Sequence, residues 1–155
     1  MNFFSSKFIQ SSGTKIEEGY IYIKGTKIRL DYFNPKRTLK ISQKKGVYIN
    51  HELKEEEFFS TKNSTVKMFY DIFLDNDFFL SLHFEEKNGE IIFEKKIEID
   101  SVITNLKIYF ENKPLILRKI IAKTEDETIS ISFIEHDYNN IYDDDFFSFV
   151  PIYLD

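Results

Sequence analysis

The side chains able to carry out acid–base, nucleophilic or metal chemistry are few and scattered. His51, His83 and His136 are the only histidines, and none stands in the HxxxH or HxH spacing that brings two imidazoles onto one metal. The chain has no cysteine, which removes thiolate nucleophiles, Cys-based zinc sites, disulfides and c-type haem attachment. No G-x-S-x-G elbow, G-x-G-x-x-G turn or Walker-type glycine loop occurs. The acidic runs Glu55-Glu56-Glu57 and Asp143-Asp144-Asp145 are short and read as solvated loop or strand edge. No catalytic residue, metal or cofactor is expected, and the chain reads as a non-enzyme.

Aromatic and aliphatic side chains are abundant instead: 17 Phe and 9 Tyr in 155 residues, no Trp, and one alanine, Ala122. With 42% hydrophobic residues the chain can bury enough surface to offset its ordering entropy, so disorder is excluded. The length fits one domain over 1–155. A net charge of −5, with Lys and Glu interspersed as in Lys95, Lys96 and Glu98, argues against a nucleic-acid partner. No run approaches the ~18 apolar residues of a spanning helix, so no stable membrane insertion is expected. Met1-Asn2-Phe3-Phe4 lacks the basic and apolar regions of a signal peptide.

Period-two alternation dominates the elements that must position the apolar residues. Ile28, Leu30 and Tyr32 fall on one face and Lys27, Arg29 and Asp31 on the other. The same pattern recurs in Leu39 and Ile41, Val47 and Ile49, Ile97 and Ile99, Leu106, Ile108 and Phe110, and Ile129, Ile131 and Phe133. Arg29, on the polar face, reads as solvated surface. Asn34-Pro35, Lys45-Gly46, Asn88-Gly89, Asn112-Lys113-Pro114 and Thr124 to Glu127 supply turns, so a meander of short antiparallel strands is expected. Helical spacing appears twice. Ser64 caps a helix carrying Val66, Phe69, Tyr70 and Phe73 on one side, and Phe4 and Phe8 stand one turn apart near the start. About nine to eleven such strands cannot stay flat and open with one dry face, so the expected fold is mainly β, an incomplete antiparallel β-barrel with two or three short helices as a lid.

The order of short motifs resembles the LolA-type periplasmic carriers of outer-membrane lipoproteins. It runs through Phe8-Ile9-Gln10, Gly19 to Lys24, Lys27 to Pro35, Lys45 to Asn50, Glu55 to Phe59, the Ser64–Leu74 helix, Asn105 to Phe110, Pro114 to Leu117, Thr128 to Phe133 and Asp145 to Pro151. The resemblance implies a half-open barrel that shields acyl chains of lipoproteins, as a monomer. It would receive them from an inner-membrane releasing complex and deliver them to an outer-membrane acceptor, in the periplasm, with a leader removed or outside this chain. The cavity and lid would be lined by Phe4, Phe8, Ile28, Leu30, Tyr32, Leu39, Ile41, Val47, Ile49, Phe69, Phe73, Ile108, Phe110, Leu117, Ile129, Ile131 and Phe133. Where the family has an Arg-Pro turn, Lys24-Gly25-Thr26-Lys27 stands, so Lys24 or Lys27 would latch barrel to lid. An apolar hollow of several hundred Å³ under Phe69 and Phe73 is expected. A lipid sensor on the same half-barrel, or a β-barrel binder of small hydrophobic ligands, is the alternative. In Phe58-Phe59, Phe78-Phe79 and Phe146-Phe147 one member of each pair is expected to face outward, as a strand would place it.

Overall fold

Alternating sequences pair most economically with their neighbours in the chain, and the computed structural model is built almost entirely of such pairs. It describes residues 3–62, 65–75, 77–80, 82–99, 101–112, 114–138 and 142–153. The strands are β1 (Phe3–Ser12), β2 (Lys15–Lys24), β3 (Lys27–Tyr32), β4 (Arg37–Ile41), β5 (Lys45–Asn50) and β6 (Glu55–Ser60), then β7 (His83–Lys87), β8 (Glu90–Ile99), β9 (Val102–Glu111), β10 (Ile116–Lys123) and β11 (Thr128–Asp137). One helix, α1 (Thr65–Leu74), joins the two sets, and a 3-10 turn, Asp144–Phe147, follows β11. The residue expected to cap α1, Ser64, lies outside the described residues.

All eleven strands form one antiparallel sheet in the order β6-β5-β4-β3-β2-β1-β11-β10-β9-β8-β7. Two meanders are therefore stitched together by β1 against β11, and β6 and β7 are left as edges. Tight hairpins do the rest: Asn88-Gly89, with φ of 53° and 80°, is the left-handed pair that joins β7 to β8.

Directly opposed residues share a face, so the register sorts the side chains. On the inner face Ile21 opposes Leu30, Leu30 opposes Leu39, Phe8 opposes Phe133, Ile131 opposes Ile120, and Ile120 opposes Ile108. These residues, with Phe4, Ile23, Ile28, Ile41 and Leu106, form the main core together with Met68, Tyr70 and Ile72 of α1. Each fully buried Ile, Leu or Phe contributes roughly 1.5–3 kcal/mol.

The N-terminal segment corrects one expectation: Phe4 and Phe8 lie on strand β1, not on a helix. A spacing of four satisfies both a helix and a period-two strand. Here the partners decide, since β1 is hydrogen-bonded along both sides, to β2 and to β11. Phe8 lies across Gly19, where an added Cβ would stand 2.2 Å from the Asp31 carbonyl oxygen and 2.8 Å from the Phe8 ring.

A second correction concerns Val47 and Ile49. They oppose Lys40 and Thr38, so they belong to the outer face and not to the inner one. Because β5 also carries Gly46 and Tyr48 inward, alternation alone could not orient it. Both residues are buried, for the outer face of β2–β6 is crossed by residues 142–153. Lys24 Nζ donates to the Tyr142 carbonyl (2.8 Å), Arg29 Nη1 to the Phe146 carbonyl (2.8 Å) and Lys40 Nζ to the Ser148 carbonyl (2.7 Å). These cations stand on successive strands and engage successive parts of the segment. The amides of Ile152 and Tyr153 donate to the Glu56 carboxylate at 2.8 and 3.0 Å. Tyr142 stacks on Phe146, whose ring lies 3.9 Å under the Arg29 guanidinium. Arg29 is therefore a clamp and not solvated surface.

Two outcomes test this packing. Gly19→Ala should cost about 1–3 kcal/mol through overpacking against backbone, read as a lowered urea midpoint at unchanged m-value. Arg29→Met should cost a similar ~1.5–3 kcal/mol by removing a charge-assisted bond, and should make 142–153 more readily cleaved by protease; equal cleavage rates would show that the clamp does not hold the segment.

Candidate functional site

Helix α1 is apolar on most of its circumference, the pattern of a helix lying on a core. Its buried residues are Met68, Tyr70 and Ile72, while Val66, Phe69 and Phe73 are only partly buried. Phe73 packs edge-on against Phe133 with ring centres 5.7 Å apart, and Phe69 tilts against Phe73 at 5.0 Å. A hydrogen bond ties α1 to the sheet: the Tyr70 hydroxyl donates to the Thr26 carbonyl in the β2–β3 turn (3.1 Å).

That turn is where a latch was expected, but the lysines do not supply it. Lys24 points to the outer face, bonding Tyr142 and lying 3.4 Å from the Asp144 carboxylate, and Lys27 opposes it on the same face. The alternation that puts Arg29 outside puts both lysines outside as well. Tyr70, read only as part of an apolar stripe, is the tie that sequence reasoning missed.

Between α1 and the inner face lies a cleft of about 160 Å³. Leu30, Tyr32, Leu39 and Ile41 form one wall, Ile129 and Ile131 the other, and Thr65, Val66 and Phe69 of α1 the roof. Gln10 closes one end. The volume is well below the several hundred Å³ expected, because Met68, Tyr70, Ile72, Phe73 and the segment around Phe78 fill the rest of the inner face. Phe4, Phe8, Ile28, Ile108 and Phe133 are core residues under that filling. Phe110 and Leu117 are only partly buried, and Phe110 joins a second aromatic cluster in which Phe79 packs against Phe93 (4.9 Å) and Phe110 (5.6 Å) and Phe84 against Phe93 (5.6 Å). Val47 and Ile49 are on the other side of the sheet.

The Gln10 end of the cleft is polar. The Tyr32 hydroxyl donates to Gln10 Oε1 (3.3 Å), and the Arg37 guanidinium lies 4.4 Å over the Tyr32 ring while pairing with the Glu17 carboxylate. Burial pushes the Tyr32 hydroxyl up to about 12, so it stays a neutral donor. These four groups sit on the inner faces of β1 to β4, Gln10 opposite Glu17 and Tyr32 opposite Arg37. Gln10 escapes a helical reading of the N-terminus, because only strand parity with Phe4 and Phe8 turns it inward.

The histidines occupy three separate places. His51 bridges Thr38 and Tyr153 on the outer face at 2.8 Å each, His83 is exposed on β7, and His136 bonds the Leu117 carbonyl (3.0 Å) beside the Phe4 ring. Among the described residues no group of three His, Asp or Glu side chains is placed to hold a metal. Of the aromatic pairs, only Phe58 is exposed; Phe78 and Phe147 are buried with Phe79 and Phe146 partly so, because neither pair lies on a strand.

His136 supplies a pH test. Burial beside Phe4 holds its imidazole below the usual histidine range, opposed by the bond to Leu117. Over the window below about 6.5 the unfolded chain then binds more protons than the folded one, so stability rises with pH through that window and falls on acidification. His136→Phe should flatten the change in urea midpoint between about pH 7 and pH 5; an unaltered slope would place the acid sensitivity elsewhere.

No protein-family model matches the chain, and no curated protein matches it. Among solved structures, an uncharacterized conserved protein from Thermus thermophilus superimposes with a TM-score of 0.60 at 8% identity, over 91% of this chain and 81% of that one. Two crystal forms of PNGF-II match with TM-scores of 0.48 and 0.47 at 10% identity, and the chain spans 29% and 31% of their length. What the Thermus protein and this chain are shown to share is a fold.

Proposed function

We propose that the chain binds an acyl chain between α1 and the inner face of the sheet, the sheet serving as a half-open barrel and α1 as its lid. The observation that carries this reading is the cleft itself: apolar along both walls and the roof, polar at one end, and roofed by a helix tied to the strands by the Tyr70 hydroxyl. An acyl chain exposed to water costs about 0.8 kcal/mol per CH₂, so apolar walls of this kind have a use beyond stability. Taken with the order of motifs, the reading is a monomeric periplasmic carrier of acylated lipoproteins, receiving them from an inner-membrane releasing complex and handing them to an outer-membrane acceptor. A load of several chains requires α1 to lift, and the Tyr70–Thr26 bond is what lifting breaks.

The size of the cleft favours a second reading, a binder or sensor of one small lipid. Drug-sized ligands occupy roughly 300–1,000 Å³, so about 160 Å³ holds a single chain segment without movement of α1.

A fluorescent acyl probe tests both. The chain should bind it, and Phe69→Glu, a change at a partly buried helix position, should weaken binding at least about tenfold by placing a carboxylate against the tail. Mass spectrometry of the intact protein from cells should show a lipid or lipoprotein adduct that the variant lacks. Equal binding by parent and variant would remove the cleft as the site.

A further inference from the structure

The polar end of the cleft is built to read a particular kind of head. Gln10 has its carboxamide orientation set by Tyr32, whose hydroxyl occupies Oε1 at 3.3 Å. That leaves the two N–H groups of Nε2, which bond no acceptor among the described residues, available to the cleft that Gln10 lines. Tyr32 cannot swing away to release the amide, since its ring is held edge-on by Phe8 at 5.2 Å and covered by Arg37 at 4.4 Å. The nearest charges are already engaged: Glu17 pairs with Arg37, both side chains mostly buried, and lies 3.6 Å from the Lys15 ammonium. Glu17 stands directly opposite Gln10 in the β1–β2 ladder, so a carboxylate head arriving at Gln10 would find Arg37 and Lys15 held by Glu17, whereas a neutral carbonyl needs no counter-charge.

Length is limited as well. The cleft, about 160 Å³, is smaller than the roughly 300–1,000 Å³ of a site that encloses a drug-sized ligand. A longer tail has to extend beyond the cleft.

We infer that the cleft selects a single-chain amphiphile whose head is a neutral acyl carbonyl, an ester or an amide. Its carbonyl oxygen accepts from Gln10 Nε2, and its first methylenes lie against Leu30, Leu39, Ile41 and Ile131. This rests on the acyl-binding reading above and adds the identity of the head and the residue that recognises it.

The test is displacement of the fluorescent acyl probe from the full chain by methyl octanoate, octanoate and octylamine, at one pH near neutrality. In the parent, methyl octanoate should compete about tenfold better than octanoate. Gln10→Leu, which keeps the volume and removes the donor, should weaken methyl octanoate about two- to tenfold and narrow its advantage, one hydrogen bond's worth. Gln10→Glu keeps the acceptor for Tyr32 and replaces the amide donors by a carboxylate, so the order should invert in favour of octylamine. Competition by the three heads at equal strength in the parent, with the probe still lost from Phe69→Glu, would overturn the assignment to Gln10 and leave the cleft reading intact. An unchanged order in both Gln10 variants would overturn it as well. A parent that binds no probe would overturn the acyl-binding reading and this inference together.

Discussion

An antiparallel sheet of eleven strands that does not close has two faces and two free edges, and each is a liability unless the rest of the chain deals with it. Much of this structure follows from that constraint. The inner face is covered by α1 and the segment around Phe78, which cross between the two meanders. The outer face of the first meander is covered by residues 142–153, in which Phe147 is buried and the Ser148 carbonyl accepts from Lys40 of β4. The edges are handled by charge: β6 is Glu-rich, with Glu56 receiving two amides of that segment, and β7 is exposed along its whole length and carries Glu85, Glu86 and Lys87.

The two covers are attached by different physics. The outer one is held by charge-assisted bonds from Lys24, Arg29 and Lys40 to backbone carbonyls, reinforced by the Tyr142–Phe146 stack on Tyr22 and Arg29. Burial and the nearby Arg29 hold Lys40 below the usual lysine range, yet its ammonium has a carbonyl 2.7 Å away to compensate. The inner cover relies mainly on apolar contact, with the Tyr70–Thr26 hydroxyl–carbonyl bond and the Lys95 ammonium 4.6 Å over the Phe78 ring among the described residues. A neutral hydrogen bond contributes about 1 kcal/mol net and a charged one roughly twice that. Apolar contacts are non-directional and can be remade with an acyl chain in place of a side chain. The outer face is thus suited to stay shut and the inner face to exchange its contents, the division of labour that the proposed acyl binding requires.

Most of the strands were readable because hydrophobic alternation reports directly on a half-buried sheet. The failures are equally physical. A strand with apolar residues at consecutive positions, such as Val47-Tyr48-Ile49, has no preferred face until its neighbours are registered, and in β5 it is Tyr48, opposite Leu39, that turns inward. The spacing of Phe4 and Phe8 fits a strand and a helix alike, and only pairing with β2 and β11 separates them. For α1 the i, i+3, i+4, i+7 stripe of Val66, Phe69, Tyr70 and Phe73 does meet the cleft and core, but Met68 and Ile72, which lie off it, are buried as well. A helix apolar on most of its circumference does not disclose how much of it will be covered. The clamp role of Arg29 was invisible for a different reason: its partner is a backbone carbonyl 117 residues away, and carbonyls leave no mark in a sequence.

The aromatic excess takes on a different meaning in this light. In a sheet wet on one side, 26 Phe and Tyr residues would exceed what a single core requires, and a large hollow would be the natural use for the surplus. Here the surplus is divided between two covered faces. Tyr22, Tyr142, Phe146 and Phe147 build the outer layer, Phe4, Phe8, Phe73 and Phe133 the inner core, and Phe79, Phe93 and Phe110 a second inner cluster with the exposed Phe84 at its edge. The cleft that remains is small because the aromatics were needed elsewhere. Selectivity at its polar end can therefore matter as well as capacity: apolar walls hold any tail at about 0.8 kcal/mol per CH₂ and do not tell one head from another, so one well-aimed amide at Gln10 is a large fraction of what does.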